Sequence, residues 1–201
     1  MRESEIKLNQ AWLWKCSLVF AAISVASVAL VAQDTLLRLD PRHTTVQYSL
    51  DDVLHSVHGT FQLKQGTLQL DPASGKLSGE IVVDARSGES GTAMRDRKMH
   101  REVLESDRYP EITFRPDHVD GAVSPQGKSS VQVHGIFSIH GTDHEVTAPA
   151  DVEMTPNHWT ATVHLSVPYV KWGMKNPSTL FLRVSESVDI DLTTAGSIVK
   201  P

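Results

Sequence analysis

Residues 159–167 alternate without a fault: Trp159, Ala161, Val163, Leu165 and Val167 are apolar, and Thr160, Thr162, His164 and Ser166 stand between them. A period of two is the mark of a β-strand with one buried face, and a helix has no use for it. The same period returns along most of the chain. It runs through Val46, Tyr48 and Leu50, through Val57, Gly59, Phe61 and Leu63, and through Leu68 and Leu70. Ile81 and Val83, Ile112 and Phe114, the odd positions from Val131 to Ile139, and Val152 and Met154 continue it. Leu182, Val184, Val188, Ile190 and Leu192 close the series. Asp71-Pro72-Ala73-Ser74-Gly75 supplies turn chemistry between two of these runs. Only Ala93 to Ser106 breaks the period: Met99, Val103 and Leu104 fall at helical spacing, and Pro110 stops the run. Its charged residues Arg95, Asp96, Arg97, Lys98 and Glu102 read as a solvated face.

Strands joined by local turns, with one short inserted helix and no repeated crossover helices, predict an all-β fold with antiparallel pairing. Closure into a barrel of about eight strands removes both sheet edges, and an open sandwich fits the same pattern less well. The inward phases would place Val46, Tyr48, Phe61, Ile81, Val83, Phe114, Val133, Phe137, Ile139, Val163, Leu165 and Val184 on the interior wall. Such a wall can be a filled core or the lining of a dry pocket, since both use the same residue types. The many small and branched inward residues favour a barrel that does not fill itself.

Other chemistry finds little support. A net charge of -5 offers no basic surface for nucleic acid. Cys16 is the only cysteine, which excludes an intramolecular disulfide, and if the N-terminal segment is removed no thiol is left for a zinc-cysteine site. His55 and His58, His140 and His144, and His134 and His140 lack the spacing of a familiar metal motif, so no metal site and no cofactor are expected. There is no Gly-x-Ser-x-Gly elbow, no His-Glu-x-x-His and no phosphate-binding glycine loop, and no enzymatic activity is expected.

The N-terminal segment has the layout of an export signal. A polar stretch to Lys15 precedes an uncharged run from Cys16 to Val31, shorter than the roughly 20 residues that span a bilayer, with small residues at its end. Residues 1–32 are therefore expected to be a signal peptide, cleaved after Ala32 or Ala29, with an uncleaved anchor as the alternative. Residues 33–195 form the predicted domain and 196–201 a tail.

From residue 38 onward the order of motifs resembles the YceI-like family of polyisoprenoid-binding proteins. The matching pieces are Leu39-Asp40-Pro41-Arg42-His43-Thr44-Thr45-Val46-Gln47-Tyr48-Ser49, Val57-His58-Gly59-Thr60-Phe61 and Gly66-Thr67-Leu68-Gln69-Leu70-Asp71. Arg95-Asp96 at the helix, Tyr109-Pro110-Glu111-Ile112-Thr113-Phe114, and the stretch from Gly135 to Thr142 before Glu145-Val146-Thr147 complete the match. The resemblance implies a lipocalin-like antiparallel barrel, exported to the periplasm, holding an isoprenoid, isoprenoid quinone or fatty-acid-like chain. It implies no catalytic residues. The sequence departs from the family at Asp51-Asp52-Val53-Leu54-His55 and from Tyr169 to Ser178. There Trp172 and Met174 are expected at the pocket rim, with Lys171 and Lys175 placed to meet a polar or anionic head group. The expected partner is a hydrophobic lipid, with transient membrane contact and a monomer or homodimer both left open. The rival reading is a cell-envelope structural or interaction module with a filled core and no ligand.

Overall fold

The computed structural model describes residues 34–51, 55–179 and 183–199. The N-terminal segment, the Asp52-Val53-Leu54 part of the departing stretch, and Leu182 lie outside them. Nine strands run in order along the chain: β1 (Thr35–Leu39), β2 (Thr45–Asp51), β3 (Ser56–Leu70), β4 (Leu77–Glu89), β5 (Glu111–Asp120), β6 (Gly127–Ile139), β7 (Thr142–Met154), β8 (His158–Val167) and β9 (Val188–Val199). One short helix, α1 (Ala93–Lys98), continues into a π-helical turn over Met99–Val103.

Every strand pairs antiparallel with its neighbours, and the ring β3-β2-β9-β8-β7-β6-β5-β4 closes through the β3–β4 pairing. The ring therefore has eight staves although the described residues form nine strands. Both β1 and β2 lie between β3 and β9: β2 pairs with Ser56–Phe61 and β1 with Thr67–Leu70. Together they make one stave, interrupted at Pro41–His43 by a single 3-10 turn. Asp40 forms that break, its carboxylate accepting from the Arg42 backbone N–H at 2.9 Å. Residues 196–199, expected as a tail, are instead the end of β9 and pair with β1. Gly196 makes this possible, since a Cβ there would lie 1.9 Å from the Arg38 carbonyl oxygen.

Two local devices were invisible as alternation. The inward phase of β3 changes from odd to even between Leu63 and Gly66, because a bulge shifts its register against β4 at Leu63/Gln65. What reads in the sequence as two short strands is thus one long bent one. The β6–β7 hairpin turns on His140 and Gly141, both at positive φ (52° and 74°), the conformation that a two-residue hairpin of matching twist requires.

The interior divides along the barrel axis. At one end, where the connections 71–76, 121–126 and 155–157 are short, Leu37, Leu39, Leu63, Leu68, Leu70 and Leu77 pack with Met154 and Trp159 into a buried plug. At the other end the two long connections emerge, one carrying α1 and the other spanning 168–187. No helix among the described residues is long and apolar enough to cross a membrane.

Candidate functional site

Above the plug the staves no longer fill their own interior. A cavity of about 220 Å³ opens there, bounded below by Ile81, Val163 and Leu192, which also pack on the plug. Its wall is aliphatic and aromatic, with Val46, Phe61, Phe114, Phe137, Ile139 and Ala148 prominent. An engineered apolar cavity of about 150 Å³ stays dry and takes up benzene, whereas pockets for drug-sized ligands reach roughly 300–1,000 Å³. The space is thus large enough for an apolar segment, and a longer chain would extend through the mouth.

The mouth is built by the two long connections. On one side α1 and its π-helical turn contribute Arg95, Lys98, Met99, Val103 and Leu104. The helical segment is pinned to the end of β4 by His100, whose Nε2 meets the Gly88 carbonyl at 2.8 Å, and to the residue after it by Asp96, which accepts from the Ser90 backbone N–H at 2.8 Å. On the other side Tyr169, Met174 and Pro177 line the opening. Two polar links join the sides: Lys98 Nζ donates to the Pro177 carbonyl at 2.7 Å, and Lys175 Nζ to Glu102 at 2.6 Å. The Lys175 ammonium holds the Glu102 carboxyl below its usual range.

The two phenols that reach the cavity stay uncharged. Burial pushes the Tyr48 phenol up, with the nearby Asp96 charge adding to the rise. Burial likewise raises the Tyr169 phenol to about 12, helped by Glu186, and its hydroxyl donates to the Ser185 carbonyl at 2.7 Å. Both rings therefore present neutral surface at any ordinary pH. Arg95 and Lys98 are the cationic lining residues, Arg95 solvent-exposed and Lys98 half-buried.

Of the residues expected from sequence, Val46, Tyr48, Phe61, Ile81, Val83, Phe114, Phe137, Ile139, Val163, Leu165 and Met174 share this one cavity. Val133, Trp172 and Val184 do not line it. Val133 points inward at the level of the plug, where leucines occupy the space. Trp172 is at the rim, but its ring lies flat on His144, 3.9 Å between centroids and 6° between planes. Burial holds the His144 imidazole below its usual range, which favours the neutral ring in that stack. Val184 sits in the 168–187 connection, where its backbone N–H and carbonyl are taken by Ser178 and Asn176. Lys171 is not part of the lining, and Lys175 is engaged by Glu102.

Sequence reading missed the helix as a wall. Met99, Val103 and Leu104 were legible as its apolar face, but nothing in one dimension says that this face covers a barrel mouth. Arg95 and Lys98 were read as solvated charges, and only folding brings them to the opening. Ala148 was missed because a small residue on the inward phase of β7 carries no signal of its own.

An eight-stave antiparallel barrel with one packed end and one hollow, apolar end has the architecture of lipocalin-like proteins. A YceI-like domain model matches residues 37–195, and the chain belongs to that family. The fold is similar to that of BcnA from Burkholderia cenocepacia, with a TM-score of 0.65, 18% identity, and coverage of 78% of this chain and 98% of that one. It is also similar to a polyisoprenoid binding domain from Saccharophagus degradans implicated in plant cell wall breakdown (TM-score 0.61, 14% identity, 81% and 98% covered). A third similar structure is the Campylobacter jejuni YceI protein, at a TM-score of 0.53 and 12% identity over the whole of both chains. No curated protein sequence matches this chain.

Proposed function

We propose that this protein is an exported, non-catalytic binder of a long apolar lipid of the isoprenoid type, carried with its tail in the barrel and its head at the helix-lined mouth. The observation that carries this reading is the apolar space itself. An apolar cavity above a solid plug leaves no reason for the upper staves to be lined with greasy side chains unless something apolar enters. A rival reading, in which the interior is only core, suits the leucine plug; in the upper half Ile112, Phe137 and Ile139 also pack together, yet leave open space beside them. Each methylene moved from water into such a space contributes about 0.8 kcal/mol, so a tail of several carbons supplies ample binding without any polar contact. Membership of the YceI-like family and likeness to a polyisoprenoid binding domain support the lipid class. Arg95 and Lys98 at the mouth suit a polar or anionic head group, in place of the Lys171 and Lys175 expected from sequence. The order of polar, apolar and small residues before Gln33 supports export.

The test is to purify the full chain from its own host and analyse it by native mass spectrometry and organic extraction. A long-chain lipid near one per chain is expected, and protein that is empty and takes up no added polyprenyl lipid would overturn the reading. Sequencing the N-terminus of the protein recovered from the envelope fraction tests export, with Gln33 as the expected first residue.

A further inference from the structure

On the outer wall, away from the cavity, β5 carries a second bulge. Its register against β6 shifts between Pro116, opposite Gly135, and His118, opposite His134. Regular alternation would send Asp117 and His118 to opposite faces, but the bulge turns both side chains outward beside His134. The ligand-capable atoms of Asp117, His118 and His134 come within 4.8 Å of one another. His134 Nδ1 lies 2.8 and 2.9 Å from the two Asp117 oxygens, and His118 Nδ1 lies 2.5 Å from one of them.

The far sides of the two rings point the same way chemically. His134 Nε2 meets Glu145 at 3.0 Å, and His118 Nε2 faces Asp120 at 3.6 Å. The His134 imidazole therefore has a carboxylate within hydrogen-bond distance of both nitrogens, while the second carboxylate of His118 stands just beyond that distance. A neutral imidazole has one N–H and one lone pair, so one of its carboxylates must face a lone pair. Protonating His134 would satisfy both of its carboxylates but would set a cation against the His118 ring, 4.6 Å away at 26°. A divalent metal held by the two Nδ1 atoms and Asp117 removes the conflict without a charged ring, leaving the His134 Nε2 proton on Glu145 and the His118 Nε2 proton directed toward Asp120. That arrangement, with a carboxylate behind each ligating histidine, is how metal-bound imidazoles are commonly oriented.

We propose that Asp117, His118 and His134 bind a divalent transition metal of the zinc class, with Glu145 and Asp120 as orienting carboxylates. Two imidazoles and one carboxylate suit zinc better than calcium or magnesium, which prefer oxygen-only shells. Tetrahedral zinc with bonds near 2.0–2.1 Å separates its ligand atoms by about 3.3 Å, so each imidazole nitrogen needs to move from Asp117 by less than about 1 Å, and all three ligand atoms already lie within 4.8 Å of one another. His134 is mostly buried, with a side chain 19% exposed, while His118 is open to solvent, so water can fill the remaining coordination position and the ion can exchange.

The experiment is calorimetric titration of Zn²⁺ into the chelator-stripped full chain, with Co²⁺ absorption as a report on the ligand geometry. One ion per chain is expected. His134→Gln should weaken binding at least tenfold, Glu145→Gln by about tenfold, and His164→Gln, on the same outer surface, not at all. Absence of stoichiometric binding, or binding unchanged in His134→Gln, would overturn the proposal. All three positions are on the outer wall, and matching far-UV spectra and melting temperatures of the metal-free variants would exclude a folding defect. Should His134→Gln fail that check, Asp117→Asn takes its place with the same expected loss.

Discussion

The two ends of this barrel obey the same alternation and reach opposite results. In the plug the inward residues are chiefly leucines, with Met154 and Trp159. In the cavity half valine is common, as at Val46, Val83, Val146 and Val163, with aromatics along the wall. An eight-stranded barrel is just wide enough for side chains to fill, so the reach of each side chain decides whether they meet. Leucine extends one carbon further from the backbone than valine, so the six plug leucines reach further toward the axis than the valines of the cavity wall. Closure at the lower end is reinforced by β1, whose Leu37 and Leu39 enter the plug and whose partner Gly196 lets the strand approach Trp159. At the upper end β2 completes the same stave, and the cover is a helix tied across the mouth by Lys98 and Lys175. A single fold thus combines a stabilising half with a half that can admit a guest.

Truncation offers the largest effect with which to break this comparison. Leu70→Ala in the plug should cost about 3 kcal/mol, because a new void opens among close-packed neighbours. Leu165→Ala, which removes the same atoms beside space that already exists, should cost about half as much. Urea unfolding of the two variants checks the contrast, and equal losses would mean that the upper half is as tightly packed as the lower.

Insertion should give a smaller effect and sharpens the same point. Ala161→Leu forces extra methylenes into the plug and is expected to destabilise by about 1–3 kcal/mol. Ala148→Leu has room to grow into the cavity, so its stability should change by less than about 0.5 kcal/mol while the lipid recovered per chain falls by at least half. Thermal unfolding and lipid extraction of both variants separate these outcomes.

The smallest effect belongs to the outer wall, which is part of neither half. The Asp191 carboxylate, 2.8 Å from His164, raises the imidazole above its ordinary value near 6.5. Its contribution to stability is therefore complete below the unfolded value and is lost as pH rises through the higher folded one. The stability difference between wild type and His164→Gln should shrink from pH 6 to pH 8. Proton NMR of the imidazole checks the direction of the shift, and a profile that grows with pH would contradict the pairing.

Much of the architecture was legible in one dimension because a half-buried strand writes its burial directly into alternate residues. The run from Trp159 to Val167 and the helical interval after Ala93 are both where the pattern places them. The bulges at Leu63/Gln65 and Pro116/His118 were not legible, since each is a local shift of register that depends on the partner strand. Nor was the strand character of residues 196–199, where Gly196 is conspicuous only because Arg38 is opposite.

By itself, then, the order of residues determined the antiparallel all-β class, the inserted helix and the greasy inner wall, because these follow from periods of two and 3.6 along the chain. Tertiary structure decided which half of that wall closes, that Arg95 and Lys98 stand at its mouth, and that Asp117 meets two histidines. The physical reason is the same in each case: whether side chains from distant strands touch depends on their lengths and on the register between staves, and no single strand contains that information.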